Sequence, residues 1–173
     1  MFSEDDIKTI EEIKGIDLLI DAFKYLPEQK LKIAGRGELD AKIRERIQKE
    51  NLSNIELLGY QNRESVNDLM RNAKALIMCS QWYETFGMVI AEAYSCGTPV
   101  IVGDIGNIKD LVVPGKTGEL FVYNSYEDMI SAIKRFENKP YEEYSYNAYT
   151  LFNERLTCEA NYNQLMSIYD QLV

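Results

Sequence analysis

Two glutamates are the residues best placed to do chemistry: Glu84 and Glu92 stand eight positions apart and flank an aromatic-glycine pair, Phe86-Gly87. Residues 80–93 have the pattern of a strand end, a loop and an amphipathic helix that begins near Gly87. Glu84 then lies in the loop and Glu92 about two turns inside the helix. Carboxylates accept hydrogen bonds from sugar hydroxyls, and the free N–H groups of a helix start attract phosphate. One segment therefore offers groups for both halves of a nucleotide-sugar.

The elements that must position these residues alternate along the chain. Strands are predicted at 31–34, 55–58, 75–79 and 100–102, with a short, weak strand at 7–10. Helices are predicted at 15–25, 38–51, 64–72 and 87–96, and three more close the chain at 125–137, 141–153 and 158–172. Strands that alternate with helices require crossover connections, which make neighbouring strands parallel. The fold class is α/β, a Rossmann-like three-layer sandwich with a mostly parallel sheet.

The loops that follow the strands are expected to share one rim, because ligands bind outside the carboxyl ends of parallel strands. These loops span residues 35–37, 59–62, 80–86 and 103–106. In the first loop, Gly35 lets the backbone approach a phosphate and Arg36 can pair with it. A tight turn with an exposed arginine is an equally good interpretation of the same residues.

Composition narrows the function classes. The chain has 173 residues, 46% of them hydrophobic and 27% charged, as expected for one globular domain. A net charge of −9 disfavours nucleic-acid binding. The absence of histidine excludes serine or cysteine hydrolase triads and histidine-ligated metals built from this chain alone.

The cellular compartment is inferred from the cysteines and from the length of the apolar runs. Cys79, Cys96 and Cys158 are odd in number and widely spaced, which favours reduced core thiols over disulfides or metal ligands. No run of about 20 apolar residues or signal-peptide pattern is present. A cytoplasmic location is expected, with peripheral membrane association of a longer enzyme as a further option.

The segment 84–101 resembles the donor-binding motif of retaining glycosyltransferases of family 4, which have the GT-B fold. That motif is Glu-x-Phe-Gly with a second Glu eight positions after the first. The second Glu opens the pattern Glu-Ala-x-x-x-Gly-x-Pro-Val, which this chain has at 92–100. The resemblance implies that residues 1–173 form the C-terminal, donor-binding half, with closing helices from about 125 and without the N-terminal acceptor domain. It also implies a nucleoside-diphosphate sugar donor, such as a UDP- or GDP-sugar, and no cofactor or bound metal.

The resemblance also implies roles for individual residues. Glu84 would be the catalytic residue, orienting the donor sugar and supporting positive charge at its anomeric carbon, and Glu92 would bind the ribose hydroxyls. Lys14 would contact the diphosphate. The remaining donor-binding residues would be Gly35, Arg36, Tyr60, Gln61, Thr85, Phe86, Gly87, Met88 and Val89. Tyr60 and Gln61 stand where the family contacts the base, although a plain rim loop explains them slightly better, and Phe86 could instead be a core residue.

Other interpretations remain open. Thr9 stands where the family usually has an arginine, and the acceptor half is missing, so the isolated chain is expected to be weakly active or inactive. A non-catalytic nucleotide-binding or protein-binding module derived from this fold is the main alternative. A sugar-nucleotide epimerase is less favoured, because it does not use the Glu84 and Glu92 arrangement. The tyrosines at 141, 144, 146 and 149 are predicted to pack helices, against the missing half or another partner, in preference to carbohydrate.

Overall fold

The computed structural model describes residues 15–171 as an α/β fold. Within this range the helices are α1 (Ile16–Lys24), α2 (Asp40–Lys49), α3 (Arg63–Arg71), α4 (Met88–Ser95), α5 (Tyr126–Glu137), α6 (Tyr141–Leu151) and α7 (Cys158–Asp170). The strands are β1 (Leu31–Ala34), β2 (Ile55–Gly59), β3 (Leu76–Met78), β4 (Val100–Gly103) and β5 (Gly118–Phe121). A 3₁₀ turn covers Ile108–Leu111, and a π-helical turn, Phe152–Leu156, joins α6 to α7. The predicted helices and the α/β fold class are confirmed.

Every described strand pair is parallel, as the alternating pattern predicted. Strand β1 pairs with β2, and β3, β4 and β5 form a second hydrogen-bonded group in that order. Among residues 15–171 the two groups share no strand pairing. The strand predicted at 7–10 lies outside the described residues. The described sheet is thus divided into an N-terminal pair and a C-terminal triplet.

Strand β5 corrects the sequence analysis, which predicted no strand between residues 103 and 124. The pattern there is weak because Gly118 and Glu119 interrupt the apolar residues. Gly118 fits because its backbone lies against β4: a Cβ at this position would be 1.9 Å from the carbonyl oxygen of Val100. The β5 edge is therefore specified by close backbone contact, which hydrophobic periodicity does not reveal.

Two apolar clusters hold the layers together. The first joins α1, the β1–β2 pair and α5, with Ile20, Phe23 and Met129 nearly or fully buried. The second surrounds α4 and β4, where Ile90, Tyr94, Val100, Val102 and Ile108 are all inaccessible to solvent. Because the second cluster holds one side of α4, the opposite side of that helix remains on the surface.

The closing helices differ in burial. Tyr144 of α6 is buried, whereas Tyr146 and Tyr149 are exposed, and no residue of α7 is buried. Of the cysteines predicted as core thiols, Cys79 is buried, Cys96 half-buried and Cys158 exposed, and the three are thiols that form no disulfide with one another. Across residues 15–171, no helix combines the length and apolar character needed to cross a bilayer.

Candidate functional site

The site centres on Gly87, the N-cap of α4. Gly87 has a left-handed backbone (φ 76°), and a Cβ there would lie 2.9 Å from Cγ2 of Ile108. A side chain at this position would be both strained and in collision. Glycine therefore allows the chain to turn from the loop after β3 directly into the helix, with the first amides of α4 facing outward.

A second helix begins beside this turn. Gly15, the N-cap of α1, is also left-handed (φ 70°). Its backbone contacts the segment after β3 so closely that a Cβ would lie 2.1 Å from the carbonyl oxygen of Cys79. Two helix N-termini, each carrying a partial positive charge, thus flank the 79–87 segment. Such an arrangement favours an anionic ligand.

The loops after β3, β4 and β5 meet at this rim, as the sequence predicted for the first two. Gly106, after β4, lies against Tyr83, because a Cβ at Gly106 would be 3.0 Å from that ring. The side-chain amide of Gln81 donates to Asn124 Oδ1, after β5, at 3.1 Å. Sequence reasoning missed Gln81 and Asn124, whose polar side chains after strand ends were the available signal.

Glu84 is partly buried in the loop. The hydroxyl of Ser80 donates a hydrogen bond to Glu84 Oε1 at 3.2 Å, and Ser80 itself is only 2% exposed. A buried donor of this kind fixes one oxygen of the carboxylate. Ser80 lies in the predicted loop 80–86 but had no predicted role; its position directly after a buried strand was the available signal.

Glu92 lies on the exposed side of α4. Helix α4 begins at Met88, so Glu92 is its fifth residue. The expected depth of two turns is wrong; five residues are about one and a half turns. Met88 and Glu92, one turn apart, share the exposed side, and the carboxylate of Glu92 makes no hydrogen bond or ion pair with residues 15–171. Its carboxylate is available to a ligand lying along the helix start.

The amides of Met88 and Val89 are the best candidates for binding an anion. Both are at the first turn of α4, where N–H groups lack intrahelical partners, and Gly87 has no side chain to cap them. The amide of Ile90 is already bonded to Gly87 O at 2.8 Å. Thr85 is exposed, and Phe86 is 47% exposed. The core alternative for Phe86 is therefore wrong.

Tyr94 anchors α4 from its buried side. Its hydroxyl lies 2.9 Å from Oγ1 of Thr117 and 3.2 Å from the carbonyl oxygen of Leu111. Burial raises the pKa of Tyr94 to about 12, against the smaller opposing effect of the Thr117 hydrogen bond. The neutral phenol therefore ties the helix to the segment before β5.

The other predicted donor residues lie on the loops after β1 and β2. The amide of Gly35 donates to the carbonyl of Gly59 at 2.9 Å, which holds these two loops together. Arg36 and Tyr60 are exposed, whereas the side chain of Gln61 donates to the carbonyl of Leu58 at 2.9 Å. Arg36 and Tyr60 are thus accessible to a ligand. Lys14 lies outside the described residues.

Comparison with known proteins identifies the family. The model of the family described as glycosyl transferases group 1 matches residues 7–170. The chain belongs to this family. The resemblance to a C-terminal GT-B glycosyltransferase domain is therefore confirmed, and the matched region covers both helix starts described above.

Similar proteins of the group 1 glycosyl transferase family are longer than this chain. An uncharacterized glycosyltransferase of Methanocaldococcus jannaschii is 38% identical over 125 residues, 72% of this chain and 35% of that protein. A D-inositol 3-phosphate glycosyltransferase of Jonesia denitrificans is 32% identical over 126 residues, 64% of this chain and 29% of that protein. The chain spans about a third of the length of these relatives.

Solved structures show the same fold. Sucrose-phosphate synthase from Thermosynechococcus elongatus matches with a TM-score of 0.80 at 26% identity, over 94% of this chain and 43% of that protein. HepE of Anabaena, solved in complex with UDP, matches with a TM-score of 0.81 at 23% identity, over 94% and 46% respectively. The fold of this group 1 glycosyl transferase domain corresponds to slightly less than half of each.

Proposed function

We propose that this group 1 glycosyl transferase domain binds a nucleoside-diphosphate sugar for a retaining hexosyl transfer. The observation that carries the proposal is the Gly87 turn, which presents the amides of Met88 and Val89 between Glu84 and Glu92. Amides at a helix start suit a diphosphate, and carboxylates suit sugar and ribose hydroxyls. UDP and UDP-sugar complexes of the similarly folded HepE support this choice of ligand class.

Each group then has a specific task. The amides of α4, with Lys14, take up negative charge on the leaving diphosphate. Glu92 accepts hydrogen bonds from ribose, and Glu84, held by Ser80 at 3.2 Å, orients the donor sugar and supports positive charge at its anomeric carbon. Arg36, Gly35, Tyr60 and Gln61 complete the rim on the nucleotide side. No protein-bound metal or cofactor is required by this arrangement.

The transfer proceeds on one face of the sugar. The bond from the anomeric carbon to the diphosphate oxygen breaks, and a bond to the acceptor oxygen forms on the same side. The acceptor hydroxyl gives its proton to the departing diphosphate, so no histidine base and no covalent sugar-protein intermediate is needed. Configuration at the anomeric carbon is retained.

The acceptor is bound by a second domain in this proposal. The chain covers 43–46% of the first structural matches, and a cleft with one wall does not exclude water. The rim side chains Trp82, Tyr83 and Phe86 are exposed, with Trp82 at 62%. Exposed aromatic groups around a ligand site favour a face that another domain or protein covers. The isolated chain is expected to bind nucleotide weakly and to transfer sugar slowly or not at all.

Calorimetric titration of the 173-residue chain with UDP, GDP and ADP tests the proposal. At least one of the three is expected to bind, and Glu92→Ala should weaken that binding by about 1–3 kcal/mol. Glu45→Ala is the matched control, since Glu45 is also an exposed mid-helix glutamate, on α2. Absence of binding to all three nucleotides would contradict the proposal and favour a partner-binding module.

A further inference from the structure

A second concave site lies at the other end of α4. It is a shallow cavity of about 460 Å³, largely open to solvent, between the last turn of α4, with Ser95 and Cys96, and the outer side of α6. This volume falls within the range of roughly 300–1,000 Å³ typical of small-molecule sites. The amides of Met88 and Val89 lie at the opposite terminus of the same helix, so this cavity is separate from the proposed donor site.

The tyrosines of α6 form one wall of the cavity because of their helical spacing. Tyr141, Ser145 and Tyr149 recur every four residues and therefore lie along one side of the helix, with Tyr146 beside them. Tyr144 points instead into the core. Tyr146 is 72% exposed, so its ring is held at the surface with little contact from the protein. Tyr144 is buried and Tyr141 is partly buried against the first apolar cluster, as expected for residues that pack helices, and packing of Tyr146 and Tyr149 against a partner stays a prediction.

The floor of the cavity requires Gly97, the residue that follows the end of α4. Gly97 is left-handed (φ 71°), and a Cβ there would lie 3.1 Å from Oγ of Ser145. The absent side chain brings the α4 terminus and α6 close together while leaving space above them. The backbone at Gly97 therefore defines the cavity, which is not merely a gap between side chains.

The charged groups at this cavity include no excess of positive charge. Arg71 lies at the edge and is paired with Asp68 at 2.9 Å, and Glu142 lines the same cavity. The chain as a whole carries a net charge of −9. A site without excess positive charge on an acidic protein disfavours phosphate or nucleotide and favours a neutral ligand.

We propose that this cavity is an accessory binding site for a neutral saccharide. Tyrosine rings offer flat apolar surfaces to the C–H faces of a pyranose. The carboxylate of Glu142, the guanidinium of Arg71 and the hydroxyls of Ser95 and Ser145 offer acceptors and donors for its hydroxyl groups. The choice of saccharide draws on membership of the glycosyl transferase family and does not depend on the donor site.

Cysteine alkylation tests the site with a built-in control. Cys96 lines the cavity, whereas Cys158 on α7 is exposed and outside it. Maltotriose, mannotriose and chitotriose are added separately to the full chain, and iodoacetamide labelling is followed by mass spectrometry. At least one trisaccharide should slow labelling of Cys96 by about three- to tenfold and leave Cys158 unchanged. Amide NMR shifts of Ser95 and Gly97 give an independent reading if Cys96 labels slowly without sugar.

Matched tyrosine variants show whether the α6 wall is responsible. Tyr146→Ala should weaken binding of the protecting trisaccharide by about three- to tenfold, and Tyr146→Phe should preserve it. Tyr162→Ala, which removes an exposed tyrosine of α7, should have no effect. UDP affinity should be the same in all three variants, which separates this site from donor binding.

Two results would overturn the proposal. One is that no trisaccharide shifts the Ser95 and Gly97 amides or protects Cys96. The other is that Tyr146→Ala converts a dimer into a monomer in sedimentation, with no saccharide effect. In the second case the cavity would be covered by another copy of the chain.

Discussion

The backbone of Gly15 touches the carbonyl of Cys79 so closely that a methyl group on Gly15 would lie 2.1 Å from that oxygen. This contact joins the start of α1 to the end of β3, although the two residues are 64 positions apart. It brings a second helix N-terminus to the loop that carries Glu84. The partial positive charge at the candidate site therefore depends on packing as well as on the motif around Gly87.

Gly15→Ala is expected to destabilise the fold by more than about 2 kcal/mol, because strain and collision act together. Gly59→Ala is the matched control: Gly59 is also left-handed (φ 66°), but its Cβ position has no neighbour within 4 Å. Gly59→Ala should lower the free energy of unfolding by only about 1–2 kcal/mol. Urea unfolding of both variants measures the difference, and equal losses would show that the Cys79 contact relaxes easily.

Glu84→Gln is expected to weaken UDP-glucose binding by about 1–3 kcal/mol while leaving UDP affinity unchanged, because Glu84 is assigned to the sugar and not to the nucleotide. Ser80→Ala should act in the same direction and more weakly, since it removes the hydrogen bond at 3.2 Å. Calorimetry with the two ligands gives the comparison. Equal loss of UDP and UDP-glucose affinity would assign Glu84 to the nucleotide. If the protein binds a GDP-sugar, the GDP pair replaces these ligands.

Tyr144→Phe is expected to destabilise the domain by about 1.5–3 kcal/mol, because Glu119 loses a charge-assisted bond. The Tyr144 hydroxyl donates to Glu119 Oε1 at 2.6 Å, and both residues are buried. The other oxygen of Glu119 keeps Arg135 at 3.4 Å. Thermal unfolding of Tyr144→Phe and of the exposed control Tyr149→Phe tests this. A fall in Tm of equal size in both would show that the buried bond contributes nothing specific.

Stability should fall above pH 10 because of Tyr94. Burial raises the pKa of this phenol from 10.0 to about 12 in the folded state. The folded protein then holds the proton of Tyr94 more tightly than the unfolded chain does. The contribution of Tyr94 protonation to the free energy of unfolding is therefore complete below pH 10 and is lost as the pH rises to 12. The loss is at most about 2–3 kcal/mol. Burial and the bond to Glu119 raise the pKa of Tyr144 as well, which adds a loss of the same sign.

Denaturant unfolding between pH 8 and pH 12 measures the alkaline loss of stability. Tyr94→Phe is less stable at pH 8, because its hydroxyl contacts are missing, but its stability should decline less steeply above pH 10. Tyr146→Phe is the control, since Tyr146 is exposed. Parallel curves for wild type and Tyr94→Phe would show that Tyr94 does not titrate in this range.

The repeating elements were predictable from sequence because apolar spacing dictates them. Strand β1 has the predicted bounds, and α4 differs from the predicted range 87–96 by one residue at each end. The position of Gly87 at the helix start was also predictable, because a glycine directly before an amphipathic segment favours a left-handed cap. The candidate site on α4 therefore follows from local sequence rules.

Contacts between distant segments could not be predicted from the sequence. The Gly15 and Cys79 contact and the link from Gln81 to Asn124 depend on how the strands are ordered. Strand β5 was missed for the same reason, since its Gly118 is explained only by the neighbouring Val100. The hydrogen bond from Tyr144 to Glu119 likewise joins two distant segments, so no local pattern predicts it. The placement of Lys14 remains a prediction.

The length of α4 is fixed at both ends by glycines that no other residue replaces without strain. Gly87 precedes the helix against Ile108, and Gly97 follows it against Ser145. One inserted residue would rotate everything beyond it by about 100°, which would turn Tyr94 out of the core. Substitution of the exposed side chains of α4, such as Met88 and Glu92, is therefore compatible with the fold, whereas a change in the number of its residues is not.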